Sequence, residues 1–121
     1  VAQMVRAFFE FFAENPEFPR LILHELARSR PMPDAMRGAL ERRVGLLGSL
    51  IRQGQADGSI REGEPLLLAL SVASQPLWMA LAAAPLREGA RIDVADPGTR
   101  ARLVESVVEF VQAGLAAAPE R

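Results

Sequence analysis

Two features of the sequence predict an all-α fold: the helical spacing of its apolar residues, and the helix-breaking residues between the spaced stretches. Apolar residues recur every three or four positions over most of the chain, which is the period of an amphipathic helix. Asn15-Pro16, Pro31 and Asp57-Gly58 interrupt that period. We therefore expect a bundle of about five helices. A length of 121 residues suits one hydrophobic core, so residues 1–121 are expected to form one domain.

A single break separates the first two predicted helices. Residues 1–14 form the first, and the second extends from about Pro16 to Ser29. Asn15 ends the first helix because the residue before a proline is pushed out of the α region. The first apolar side holds Met4, Val5, Phe8, Phe11 and Phe12, with Phe9 at its edge, and the second holds Phe18, Leu21, Ile22 and Leu26.

The third predicted helix is the longest and extends from about Asp34 to Asp57. Gly58 ends it, since glycine readily adopts the left-handed conformation that is common just after a helix. Its apolar stripe consists of Met36, Leu40, Val44, Leu47 and Ile51.

The fourth predicted helix begins at Pro65, a favoured residue for the first helical turn, and ends at Ala84. It is apolar nearly all round and about 20 residues long, the length of a membrane span. Polar residues interrupt it, however, and no basic or aromatic anchors flank it. We therefore predict a buried helix and no membrane contact.

The fifth predicted helix begins at Pro97 and ends near Ala117, after a surface loop from Pro85 to Asp96. Its apolar residues cover an arc of about 160°, wider than the stripe of roughly 100° that a surface helix needs. One subunit cannot readily bury that arc. We expect Leu103 and Phe110 to face inward, and the valine side to pack against a second copy.

Composition excludes several classes of protein. The net charge of −1 offers no positive surface to nucleic acid or to an anionic membrane. The absence of cysteine excludes disulfides and thiolate metal sites, which fits a cytoplasmic location. All 14 basic residues are arginine, a bias typical of a GC-rich bacterial genome.

No catalytic or metal site is recognisable in the sequence. His24-Glu25 begins like the zinc-protease motif HExxH, but Arg28 stands where the second histidine should be and the chain has one histidine in all. No nucleophile has a supporting base, and no phosphate-binding loop is present. We predict that the protein is not an enzyme and uses no cofactor.

One pair of charged residues falls on predicted apolar sides. Glu25 projects into the stripe of the second helix, and Arg43 into that of the third. A guanidinium suits bidentate pairing with a carboxylate, so we predict that the two meet or jointly line a partly polar cavity. In the alternative, the helices begin elsewhere, or Arg43 extends along the surface to water.

Side-chain size divides the fourth helix. Small residues on one side permit close contact with another helix, whereas Trp78 shares the other side with Ser71 and Gln75. An aromatic ring beside hydroxyl and amide groups can form the wall of a mainly apolar pocket. Ordinary core packing is the alternative for Trp78 and for the phenylalanines of the first helix.

Several short segments, taken in order, resemble the C-terminal domain of TetR-family transcriptional regulators over nearly the whole chain. They are Phe11–Pro16, Arg20-Leu21, His24-Glu25, Gln53–Arg61 and Glu64-Pro65. The resemblance implies a small-molecule effector, and a homodimer in which the last two helices form a four-helix bundle. It also implies a helix-turn-helix domain before Val1, through which alone DNA would be bound.

The resemblance therefore predicts a ligand-responsive transcriptional repressor with a small apolar or aromatic effector. A ligand-independent helical dimerisation module is the alternative. The expected ligand pocket consists of Phe8, Phe12, Leu21, Glu25, Arg43, Leu47, Ser71, Gln75 and Trp78. The expected dimer interface consists of Val72, Ala73, Pro76, Ala80, Val104, Val108, Val111 and Leu115.

Overall fold

The computed structural model describes residues 1–28 and 30–118, and this part of the chain is all-helical. Its six helices are α1 (Ala2–Glu14), α2 (Glu17–Ala27), α3 (Asp34–Ala56), α4 (Pro65–Leu81), α5 (Ala83–Gly89) and α6 (Pro97–Leu115). The predicted all-α class is confirmed. Ser29, where the second helix was expected to end, lies outside the described residues.

The helix ends follow local chemistry. Asn15 closes α1, and both its backbone N–H (2.9 Å) and its side-chain amide (3.0 Å) donate to the Phe11 carbonyl. Gly58 follows α3 with a φ of +84°, the left-handed conformation expected after this helix. Pro65 and Pro97 stand in the first turns of α4 and α6, where no backbone N–H is needed.

The junction between α4 and α5 differs from the sequence-based expectation. The fourth helix ends at Leu81 rather than Ala84, and a bend of 64° leads into α5, most of which lies in the segment predicted to be a loop. Pro85 is the third residue of α5, in the first turn, where the missing N–H costs no intrahelical bond. The proline therefore permits a helix here, and the bundle has six described helices instead of about five.

Helix α4 lies at the centre of the bundle and contacts all five other described helices. The core between α1, α3, α4 and α6 consists mainly of Val5, Phe8, Phe12, Leu47, Ile51, Leu68, Ala69, Val72, Val107, Val108, Val111 and Leu115. Among the described residues, no single helix has both the length and the apolarity to cross a membrane. Together α4 and α5 reach both, but the bend separates them.

Candidate ligand cavity

A cavity of about 490 Å³ lies beside the bend between α4 and α5. Helices α1 and α2 form one wall, the last turn of α4 and the start of α5 another, and residues 94–103 the third. The apolar lining consists mainly of Phe9, Phe12, Pro19, Leu23, Met79, Leu81, Val94 and Leu103. Its volume lies within the range of small-molecule pockets, and its lining is mainly apolar.

Short side chains at the bend leave this space open. Ala80, Ala83 and Ala84 all line the cavity, and none extends past its Cβ atom. The segment after α5 is tied in place by hydrogen bonds, from the Ile92 N–H to the Leu86 carbonyl (2.9 Å) and from the Ala95 N–H to the Asp93 carboxylate (3.0 Å). This places Val94 and Ala95 over the cavity.

Two arginines are the charged residues of this lining. Arg20 belongs to α2 and Arg100 to the first turns of α6, and no carboxylate within residues 1–28 and 30–118 lines the cavity beside them. The Asp96 side chain caps α6 by accepting a hydrogen bond from the Thr99 N–H (2.9 Å). The cap fixes the start of the helix from which Arg100 extends.

A second cavity of about 410 Å³ adjoins the first, and Phe9, Ala95 and Arg100 line both. It lies between α1 and α6 and is more polar. Arg6 and Glu105 line it and form an ion pair at 2.8 Å between the two helices. Both side chains are about half exposed, so the pair contributes little to stability.

The residues predicted to form the pocket are dispersed over the fold. Phe12 alone of the nine lines the larger cavity, whereas Phe8 and Leu47 are buried in the core. Leu21, Ser71 and Trp78 are exposed, and Gln75 is half-buried. The lining residues Phe9, Met79, Leu81, Ala83 and Ala84 were missed, and Ala80 had been assigned to the dimer interface. Their one signal in the sequence was the run of alanines near the end of α4.

The predicted pairing of Glu25 with Arg43 is not formed, and neither residue lines either cavity. Glu25, whose side chain is 11% exposed, lies 3.5 Å from Arg28, one turn along its own segment. The Arg43 guanidinium lies over the Phe11 ring, 4.2 Å from its centroid, in a cation–π contact. Glu25 and Arg43 therefore each contact a different residue, and the predicted pair is not present.

An aromatic cluster holds α2 against α1. Phe18 packs edge-on against Phe11, with ring centroids 5.2 Å apart, and stacks on Phe12 at 6.4 Å. Phe12 is therefore shared between this cluster and the wall of the larger cavity. A shift of α2 would therefore displace the Phe12 ring and change the wall of the larger cavity.

The family-like segment around Gln53–Arg61 has a structural role in this fold. The Gln55 amide donates to the carbonyls of Arg61 (3.1 Å) and Gly63 (2.9 Å), which closes the loop after α3. Arg61 then reaches the last turn of α6: its side chain donates to the Gly114 carbonyl (2.9 Å) and its N–H to the Leu115 carbonyl (2.8 Å). The segment joins the ends of α3 and α6.

The predicted orientation of α4 and α6 is reversed in the structure. Of the expected interface residues, Val72, Pro76, Val108, Val111 and Leu115 are buried inside the single chain, and Ala73, Ala80 and Val104 are half-buried against its core. Trp78 (57% exposed) and Phe110 (68% exposed), which were expected to face inward, face outward. The side that was assigned to the second copy packs into the core of the chain itself, whereas Leu103 faces that core as expected.

An exposed apolar stripe follows the outer side of α4. We call it the α4 stripe, and it consists of Leu67, Leu70, Ser71, Ser74 and Trp78, which lie on one side of the helix because each is three or four residues from another member. Phe110 is exposed on α6, a helix that contacts α4. An apolar stripe of this kind is typical of a surface that another protein covers.

The titratable groups that depart from their ordinary behaviour lie outside both cavities. Hydrogen bonds from Ser59 lower the pKa of Asp57, and hydrogen bonds from Thr99 lower that of Asp96. Both carboxylates stand at helix ends, where they accept backbone N–H groups. Within residues 1–28 and 30–118, no group of three or more His, Cys, Asp or Glu residues is arranged to hold a metal ion.

Comparison with known proteins gives one match. A family model described as "Tetracyclin repressor-like, C-terminal domain" matches residues 1–111. No curated protein and no solved structure matches the chain. The match covers α1 to α5 and most of α6, including every residue that lines the larger cavity.

Proposed function

The chain belongs to the family of tetracyclin repressor-like (TetR) C-terminal domains, and we propose that it is the ligand-binding and homodimerisation domain of a ligand-responsive transcriptional repressor. The observation that carries this proposal is the 490 Å³ cavity at the bend between α4 and α5. Its volume lies within the range of roughly 300–1,000 Å³ that small-molecule sites occupy. We place the protein in a bacterial cytoplasm, with DNA bound by a separate helix-turn-helix domain that precedes α1.

Helix α1 is suited to couple the cavity to such a DNA-binding domain. It supplies Phe9 and Phe12 to the cavity, and it contacts both α4 and α6. A ligand that binds one position of α1 better than another shifts the population toward that position. Two DNA-binding domains carried by a dimer would then change their spacing, to which operator affinity is sensitive.

The α4 stripe and Phe110 supply the proposed dimer interface. Four large apolar side chains are exposed there, namely Leu67, Leu70, Trp78 and Phe110. Burying each of them fully would contribute roughly 1.5–3 kcal/mol, so covering them with a second copy is favourable. Two of the four, Trp78 and Phe110, are aromatic, a class of residue that is enriched at protein interfaces.

Binding of a neutral apolar fluorophore, N-phenyl-1-naphthylamine, tests the cavity. Ala83 lines it at the start of α5, so Ala83→Phe places a ring in the space and is expected to weaken probe binding about tenfold or more. Ala90 follows the same helix, is exposed and lines neither cavity. Ala90→Phe is therefore the matched control and should bind as the wild type does.

Thermal unfolding of both variants establishes that they remain folded. If the wild type does not bind the probe, or if Ala83→Phe binds it as well as Ala90→Phe does, the cavity is not a ligand site. The domain would then be the alternative, a dimerisation module that responds to no ligand.

A further inference from the structure

The charges that line the larger cavity are of one sign. Arg20 and Arg100 enter it from two different helices, α2 and α6, among walls that are otherwise mainly apolar. Neither arginine forms an ion pair within the described residues. Two guanidinium groups are therefore available to a molecule in the cavity.

The acidic residues that line a cavity belong to the adjoining, smaller one. Glu10 and Glu105 line that smaller cavity, and Glu105 is paired with Arg6. With 15 acidic and 14 basic residues, the chain has no overall positive charge that would bring two arginines together at one apolar site by composition alone. Guanidinium groups line both cavities, since Arg6 and Arg100 line the smaller one, but carboxylates of the described residues line the smaller cavity and not the larger one.

We propose that the larger cavity binds an amphipathic anion, that is, an apolar molecule ending in a carboxylate or a similar group. This inference rests on the proposed ligand-binding function and adds the chemical class of the ligand. The apolar body lies against Phe9, Phe12 and Met79, and the anionic end accepts hydrogen bonds from Arg20 and Arg100. A guanidinium donates two parallel hydrogen bonds to a carboxylate, a geometry that few other side chains provide.

The same arrangement disfavours an amphipathic cation. A positive head group would lie beside two guanidinium groups, and no carboxylate of the described residues lines the cavity to offset that repulsion. A neutral molecule keeps the apolar contacts and gains less from the arginines. The expected order of affinity is therefore anion, neutral molecule, cation.

Decanoate, 1-decanol and decylammonium test this order, because they share one apolar chain and differ in charge. Isothermal titration calorimetry, below the aggregation limit of each compound, is expected to give decanoate about tenfold tighter binding than decanol, since charge-assisted hydrogen bonds are the stronger ones. Decylammonium should bind more weakly than decanol. Added salt should weaken decanoate binding and leave decanol binding nearly unchanged, because both arginines are exposed to solvent.

Substitution of Arg20 and Arg100 tests whether these two residues cause the preference for the anion. Arg20→Gln and Arg100→Gln should each weaken decanoate binding about fivefold, with decanol binding unchanged. Arg102 belongs to the same helix as Arg100 but lines neither cavity, so Arg102→Gln is the matched control and should bind all three compounds normally.

The outcomes separate the two proposals. Binding of N-phenyl-1-naphthylamine together with equal affinities for the three decyl compounds overturns the anion inference and leaves the cavity a ligand site. Loss of decanol and decanoate binding alike in Arg20→Gln or Arg100→Gln makes the arginines structural and also overturns it. If neither the fluorophore nor decanoate binds, the ligand-binding function itself is wrong.

Discussion

The turn of the chain after α3 depends on the lack of a side chain at Gly54. This residue is buried in the last turns of α3, and its carbonyl accepts the N–H groups of Ser59 (2.9 Å) and Ile60 (3.0 Å) as the chain turns back. A Cβ atom at Gly54 would overlap the Ile60 side chain. The loop that carries Arg61 to the end of α6 therefore depends on the close approach that glycine allows.

Gly54→Ala is expected to destabilise the domain by about 1–2 kcal/mol. Overpacking costs roughly 1–3 kcal/mol, and the better helix propensity of alanine offsets up to about 1 kcal/mol of it. Urea unfolding measures the difference. Gly45 lies in the same helix, is exposed and has open space where a Cβ atom would stand, so Gly45→Ala should instead stabilise the domain by about 0.5–1 kcal/mol. Equal effects of the two substitutions would contradict the packing argument.

Helix α6 depends on its first turn, where Asp96 accepts the Thr99 N–H and Pro97 follows. The hydrogen bonds from Thr99 lower the pKa of Asp96 in the folded state. A lowered pKa means that the cap stabilises the fold above the ordinary pKa of aspartate, and that this contribution is lost as the pH falls through the lowered value. The same turn carries Arg100 into the cavity.

Asp96→Ala is expected to lower the melting temperature near neutral pH by about 2–6 °C. The difference from the wild type should shrink as the pH falls below the ordinary pKa of aspartate, where the unfolded chain becomes protonated first, and should be lost once the pH passes the lowered pKa of the folded cap. Asparagine also caps helices but does not titrate, so Asp96→Asn should stay close to the wild type at neutral pH. A difference between Asp96→Ala and the wild type that stays constant throughout the acid range would exclude the charged cap.

At the scale of the whole molecule, the proposed dimer can be tested by substitutions in its interface. Trp78→Glu and Phe110→Glu place a carboxylate in the proposed interface and are expected to convert a dimer to a monomer, as measured by sedimentation equilibrium at tens of micromolar protein. Leu46 is 55% exposed on a different helix, α3, and is not part of the proposed interface, so Leu46→Glu should leave the dimer intact.

Val108→Glu serves as a contrast rather than as an interface test. Val108 is 3% exposed in the core of the single chain, so a buried carboxylate there should unfold the domain instead of dissociating it. A wild type that remains monomeric, or a Trp78→Glu variant that remains dimeric, would rule out the proposed interface.

Most of the helices could be predicted because their signals are local. Val5, Phe8 and Phe12 repeat at helical spacing and all three are buried, and Gly58 ends α3 in the conformation expected. The proline at position 85 was misleading, because a first helical turn and a loop tolerate the same residue. Of the cavity, only Phe12 was predicted, since residues such as Leu23, Ala83 and Leu103 meet only after the chain has folded.

The sequence by itself determined the fold class, the family and the two sides of each helix, because period, capping and turn residues act over a few neighbouring positions. The tertiary structure alone decided which side of α4 and α6 faces the core, and where a cavity opens. Val108 and Phe110 are both apolar and lie two positions apart, yet one is buried and the other exposed. Which side of a helix is buried depends on how α1 and α3 pack against the central helix α4. A pattern of neighbouring residues carries no information about that packing.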